Sequence, residues 1–274
     1  MNRVVAVSKR AQIYGEKLLI PYFMAGHPDL DTTVKLIKEA EKAGADMVEI
    51  GVPFSDPVAD GPIIEKAGSK ALEQNVNLVE IIKVIGEIRG EISIPIILMT
   101  YYNPIYVMGK KSFVAEATKA GIHGVIIPDL PMGYDEEFNN LCRQYELCWV
   151  PLATPTTTDE RMKLIAAEGE GFVYCISATG TTGIREDIDD YLQEFLIKVR
   201  KYIDRPLAVG FGISNEQIAK TVSKSSDGVI VGSAIVDLIE QNSTNSNVLL
   251  QKVGEKINGL KRAISADGHR GDEI

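Results

Sequence analysis

The chain reads as an α/β protein: a single (β/α)8 TIM barrel with an extra N-terminal helix. Three observations lead there. Apolar segments of strand length alternate with helical segments along nearly all of the 274 residues. Those strands are apolar on both faces, as in parallel sheets covered by helices. Glycine-rich turns follow the sixth, seventh and eighth strands, whereas an open doubly wound sheet carries its fingerprint after the first. Eight such units in about 250 residues fit one closed barrel.

The elements follow in order. Residues 4–14 form an opening helix with Lys9 and Arg10 on its polar side. Residues 18–25 are the first strand, ended by Gly26, and 29–43 a helix capped by Asp29 or Asp31. The second strand, 46–50, is followed by helical patterns over 63–74 and 78–89. Strands are then expected at 94–100, 123–128, 148–153, 172–177, 205–210 and 228–231. Helices are expected at 110–120, 135–145, 158–168, 188–202, 214–223 and 234–241, with a last amphipathic helix over 248–264. The phrases KAGADMVEIG, KAGIHGVIIP and KSSDGVIVG repeat one helix-to-strand joint. Residues 1–265 thus make one catalytic barrel domain, and the polar, Gly-containing tail 266–274 is expected to be disordered.

Composition narrows the function. A net charge of −9 with both signs interspersed argues against a nucleic-acid surface. No apolar run reaches membrane-spanning length, and the first, 4–7, is too short for a signal peptide. Cys142, Cys148 and Cys175 are odd in number, lack metal-type spacing and lie in apolar segments, so a reducing, cytoplasmic setting is expected.

The chemistry of a barrel sits at the C-terminal strand ends. The second strand places Glu49 among Met47, Val48 and Ile50, and a carboxylate there is costly without a partner or a task. The loop after it carries Asp56 and Asp60 and is stiffened by Pro53, Pro57 and Pro62. Each acid has a plainer reading: Glu49 as a strand-end charge paired to a base, Asp60 as the cap of the helix that Gly61-Pro62 opens. No lysine lies at these strand ends to form a Schiff base. Of three histidines only His27 is at this end, too few for a His-based zinc site. A Mg²⁺ site on Glu49, Asp56, Asp60 or Asp129 is a weaker option. Gly180, Gly183, Gly210, Gly212 and Gly232 allow close approach of backbone N–H groups, and Ser233 adds a hydroxyl at a helix start. Together they suggest a phosphate cradle at one rim.

The stretch VEIGVPFSDPVADGP (48–62), with PDLP at 128–131, SATGTTG at 177–183, GFGIS at 210–214 and GSAIV at 232–236, resembles the tryptophan synthase alpha chain family over essentially the whole sequence. The resemblance implies a lyase that cleaves indole-3-glycerol phosphate to indole and glyceraldehyde 3-phosphate. It implies Glu49 as acid–base group and Asp60 as the carboxylate that accepts the indole N–H. Tyr174 would position Asp60, Thr182 would orient it, and Tyr22, Met99 and Phe211 would wall the indole. Gly183, Gly212, Gly232 and Ser233 would hold the phosphate. No metal or cofactor is implied for this chain; pyridoxal phosphate would belong to a beta chain joined in an αββα heterotetramer. The sequence departs from the usual family pattern at Thr181, where an apolar residue is usual, at Ala178, where a larger one is frequent, and at His27, where an acid is common. Rival readings are another phosphate-binding barrel enzyme, a free-standing indole-releasing lyase, and a non-catalytic subunit that only activates a beta chain. The last should lose Glu49 or Asp60, and this chain keeps both.

Overall fold

The computed structural model describes residues 1–176, 186–210 and 212–265, with residues 186–189 described by backbone alone. The expected tail, 266–274, lies outside them. Helix α1 (Arg3–Tyr14) precedes β1 (Leu18–Met24), and helices then alternate with β2 (Val48–Gly51), β3 (Ile96–Met99) and β4 (Gly124–Ile126). β5 (Cys148–Trp149) and β6 (Leu152–Ala153) follow, then β7 (Val173–Ile176), β8 (Leu207–Gly210) and β9 (Gly228–Val231). All pairings are parallel, in the order β5-β4-β3-β2-β1-β9-β8-β7-β6.

Nine strands replace the expected eight because the fifth is split. Pro151 has no N–H to donate, so a continuous ladder across 148–153 is impossible. Its two pieces form the two ends of the sheet order, so the sheet curls until one short stretch of chain joins its edges. Val150 N–H donates to Val125 O at 2.9 Å on one side of this seam, and Tyr174 N–H to Pro151 O at 2.9 Å on the other.

Alternation along each strand sorts the side chains. Leu18, Ile20, Met47, Ile97, Ile126, Phe172, Ala208 and Ile230 fill the barrel. Val48, Ile50, Leu98, Val125 and Val229 face outward, into the apolar layer under the helices. Helix α1 seals the N-terminal mouth. Val4, Ser8 and Ala11, on one face of it, are buried, and Val4 packs into the interior set.

Asp29, one of the two candidates for the first barrel helix, is its cap, and polar side chains hold several other helix starts. Asp29 Oδ1 accepts from Thr32 N–H at 2.6 Å at the start of α2 (Leu30–Lys42), and Thr158 Oγ1 from Arg161 N–H at 3.4 Å at α8 (Asp159–Glu168). Between these lie α3 (Pro62–Glu73), α4 (Leu78–Ile88), α6 (Lys110–Lys119) and α7 (Glu136–Gln144). One helix was not expected: α5 (Tyr102–Met108) follows β3, with Pro104 in its first turn, where a missing N–H costs little. Asp129 Oδ1, at the end of the neighbouring strand, accepts from Tyr102 N–H at 2.9 Å. The fold closes with α9 (Glu186–Arg200), α10 (Glu216–Ser223), α11 (Ser233–Asn242) and α12 (Ser246–Ser265). Among the described residues no helix is long and apolar enough to cross a membrane.

Asn2 fastens the sealing helix. Its side-chain oxygen accepts from Val4 N–H at 2.8 Å, and its amide donates to His123 O at 2.7 Å and Glu146 O at 2.6 Å. Asn2→Ala should therefore lower unfolding stability by about 1–2 kcal/mol, measured by urea denaturation. An unchanged midpoint would show that α1 is held by packing alone.

Candidate active site

Glu49 lies mid-strand in β2, beside Tyr22 of β1 on one side and Ile97 of β3 on the other. Its face is set by alternation with Val48 and Ile50, which turn outward. It is fully buried, and neither carboxylate oxygen has a hydrogen-bond partner among the described residues. The plainer reading of a strand-end ion pair is therefore not met. Burial, then the charge of Asp60, pushes its pKa up to about 8.

Asp60 ends the loop after β2. It does not cap α3: the N-cap is Gly61, and no side-chain hydrogen bond is made there. Burial, opposed by a hydrogen bond from Tyr101 and assisted by Glu65, raises its pKa to about 6. At neutral pH the site thus holds one protonated and one ionised carboxyl group.

Two tyrosines enclose the pair. Tyr22 and Tyr174 are both pushed well above the usual phenol range, first by burial and then by the charges of Glu49 and Asp60. Each lies over an inward-facing glycine. A Cβ on Gly51 would stand 1.9 Å from the Tyr22 hydroxyl, and one on Gly210 would stand 2.3 Å from the Tyr174 hydroxyl. These glycines are room for the rings. Met99 lies at the top of β3, half-buried between the interior set and the cluster containing Tyr22, Met24, Ala67 and Val236.

Tyr101 is a residue that sequence reasoning passed over. It accepts from Ala59 N–H at 2.9 Å, donates to Asp60 and stacks on Phe54 at 5.0 Å, tying both ends of the loop to β3. Burial pushes its phenol up to about 12. β3 stops at Met99, and past that point alternation does not say whether Tyr101 or Tyr102 turns inward.

On the other side of β1, α11 starts with Gly232 as its N-cap, without a side-chain cap, and with Ser233 exposed. The unsatisfied N–H groups of such a helix start suit an anion. Gly212 has φ +78°, a conformation that favours glycine. Thr182, Gly183 and Phe211, with Gly180, Ala178 and Thr181, lie outside the described residues. Asp129 is occupied as the partner of α5, and Asp56 is exposed. Among the described residues no three His, Cys, Asp or Glu side chains come together as a metal site. Cys142, Cys148 and Cys175 are buried and unpaired.

A closed (β/α)8 barrel with two desolvated carboxyl groups, one on a strand and one on a stiff rim loop, has the form of the active-site end of a barrel enzyme. Comparison with known proteins gives the particular kind. The family model described as tryptophan synthase alpha chain matches residues 9–265. The tryptophan synthase alpha chain of Clostridium kluyveri is 41% identical over 264 residues, 96% of this chain and 100% of that one. The crystal structure of tryptophan synthase subunit alpha from Legionella pneumophila str. Paris superposes with a TM-score of 0.90 at 32% identity, covering 97% and 99% of the two chains. A chain of tryptophan synthase from M. tuberculosis, in its aminoacrylate- and BRD0059-bound form, gives 0.85 at 27% identity over 96% and 98%. The chain belongs to the tryptophan synthase alpha chain family, and its reaction is the lyase cleavage of indole-3-glycerol phosphate in tryptophan biosynthesis.

The buried acid has a testable thermodynamic signature. Glu49 titrates near 4.5 when unfolded and near 8 when folded, so between these values the folded chain binds more protons. Stability therefore falls as pH rises through that window. Glu49→Gln removes the titration and should stabilise the chain on the order of 2 kcal/mol at pH 7. The gain should shrink toward pH 5 in denaturant titrations. A destabilised variant at pH 7 would contradict the desolvation of this group.

Proposed function

We propose that Glu49 is the proton-transfer group of the cleavage and Asp60 the carboxylate that stabilises the charged ring. The observation that carries this is the placement of the two acids: Glu49 is fully buried on β2 with no hydrogen-bond partner among the described residues, and Asp60, which caps no helix, sits on the rim loop near enough for its charge to help hold the proton on Glu49. Glu49 gives its proton to C3 of the indole, turning the ring into a cation with its charge on nitrogen. Asp60 accepts the ring N–H and lowers the energy of that cation. Glu49, now a carboxylate, takes the proton of the glycerol hydroxyl next to C3. The carbonyl forms, the C–C bond breaks, and its electrons restore the aromatic ring. Indole and glyceraldehyde 3-phosphate leave with Glu49 again protonated. The ring itself is the electron sink, so the step calls on neither lysine nor metal.

Tyr174 and Tyr101 are assigned to holding Asp60, and Tyr22, Met99 and Phe211 to the walls of the indole pocket. Thr182 is assigned to orienting Asp60, and Gly183, Gly212, Gly232 and Ser233 to the phosphate. The packing of Tyr22 and Met99 beside Glu49 and the free start of α11 support these roles.

The partner is a pyridoxal-phosphate beta chain in an αββα assembly in the cytoplasm. This reading is supported by an apolar sector of the rim. Val58 after β2, Tyr106 and Val107 in α5 after β3, and Tyr134 after β4 are exposed on three adjacent loops, in the region of Asn103, Pro104 and Pro131. Such a patch suits a partner that receives an apolar product.

Three outcomes test this. Glu49→Gln should lower indole release by about 10²–10⁴-fold, and Asp60→Asn should also cripple it, although Asn caps helices as well as Asp. kcat/KM should be bell-shaped, falling below about pH 6 as Asp60 is protonated and above about pH 8 as Glu49 loses its proton. A folded Asp60→Asn chain with normal turnover would remove that residue from the chemistry. For the partner, Val107→Asp should weaken association with the beta chain at least about tenfold in sedimentation velocity; unchanged association would move the interface elsewhere.

A further inference from the structure

Outside the rim, four titratable side chains from three elements meet at one point. Glu240, in the second half of α11, accepts from Lys70 of α3 at 2.5 Å and lies 3.1 Å from Lys66 of the same helix. Its other oxygen is 3.3 Å from His27 Nε2, in the turn after β1. His27 is 2% exposed. Burial lowers its pKa and Glu240 only partly opposes this, so the imidazole is neutral at pH 7. Lys70 and Lys66 hold the carboxyl of Glu240 down at about 2. The cluster is therefore one anion between two cations of a single helix.

Apolar packing leaves part of this joint unfilled. Ala67 and Ile64 of α3 pack with Val236 of α11 and with Tyr22 and Met24 of β1. Beside that contact, a cleft of about 280 Å³ opens between the two helices, lined by Pro62, Ile63, Val236 and Asp237. Glu240 and Lys66 also line it, so the ion cluster spans the gap that side-chain packing does not close.

We propose that Glu240 is a positioning residue for the cleavage: by clamping Lys66 and Lys70 of α3 onto α11, it sets Asp60 against the substrate. Asp60 stands two residues ahead of α3, and Pro62 fixes φ at the helix start, so a shift of α3 carries Asp60 with it. The same shift reaches the start of α11, because Ile64 lies 3.5 Å from where a Cβ on Gly232 would stand. Without the anion, Lys66 and Lys70 repel each other one turn apart, and no other ion pair among the described residues joins α3 to α11. His27, in the turn after β1, floors the joint as a neutral imidazole with no hydrogen-bond partner among the described residues, so the charged anchor runs between α3 and α11.

This inference rests on the role assigned to Asp60. The isolated full-length chain is assayed with indole-3-glycerol phosphate, alongside circular dichroism and thermal unfolding. In Glu240→Gln, kcat should fall about tenfold or more and KM should rise severalfold in a chain that still folds. Lys70→Glu should lose activity similarly, and Lys70→Glu combined with Glu240→Lys, which restores an attractive pair, should recover most of kcat. If Glu240→Gln does not fold, Lys70→Met, which keeps the stem and drops the charge, should move kcat and KM in the same directions. A merely structural role would shift the thermal midpoint and leave kcat and KM per folded molecule unchanged. That result overturns the proposal, as does a folded double variant no more active than its parents. Asp60→Asn in parallel separates the two readings. A fully active Asp60→Asn chain removes the role of Asp60 itself; an inactive one beside a normal Glu240→Gln removes only the anchor.

Discussion

The burial of the Glu49 carboxyl is the constraint on which the site depends. A carboxyl group in water would be ionised at neutral pH and could not give the proton that the proposed role asks of Glu49. Here the barrel interior buries the group completely, none of the described residues donates a hydrogen bond to it, and the neighbouring negative charge of Asp60 adds to the effect. The proton stays on because there is nowhere better for the charge to be. A strand residue suits this role: β2 is bonded on both sides, to β1 and β3, so the group cannot turn outward to find solvent.

Asp60 is handled differently, and the contrast sets the two acids apart. It sits on a rim loop, only partly buried, and one phenol favours its charged form. The loop is stiff because of three prolines and because Tyr101 bonds and stacks against both of its ends. Two acids of similar intrinsic strength thus take opposite protonation states through their surroundings alone. The tyrosines that crowd them need space, which inward-facing glycines at the tops of β2 and β8 supply.

Much of this was legible in the sequence, and its limits have physical causes. The alternation of apolar strands with helices is a strong periodic signal, and it placed the strand order and the rim. The split of the fifth strand was hidden inside a continuously apolar run, CWVPLA, where only Pro151 marked the break. Helix α5 was missed because it is seven residues long and carries a proline, so it lacks a full period. Glu49 was visible as a charge among apolar neighbours. Asp60 was ambiguous, since an acid before Gly-Pro is also what a helix cap looks like; only the geometry at Gly61 separates the two. The ion cluster at Glu240 joins positions 27, 66, 70 and 240, and no local pattern connects them.

The seam at Val150 and Pro151 divides the barrel in a way that bears on its assembly. β1 to β5 form one half-sheet and β6 to β9 the other, joined by the β1–β9 ladder and by two residues of chain. Both carboxyl groups belong to the first half; the free helix start at Ser233 and the Gly212 turn belong to the second. A nascent chain that has emerged only to the seam carries both carboxyl groups but lacks the closed interior that buries Glu49, and it lacks the helix start at Ser233 as well. The raised proton affinity of Glu49 is thus a property of the finished barrel, gained only when the last strand docks on the first.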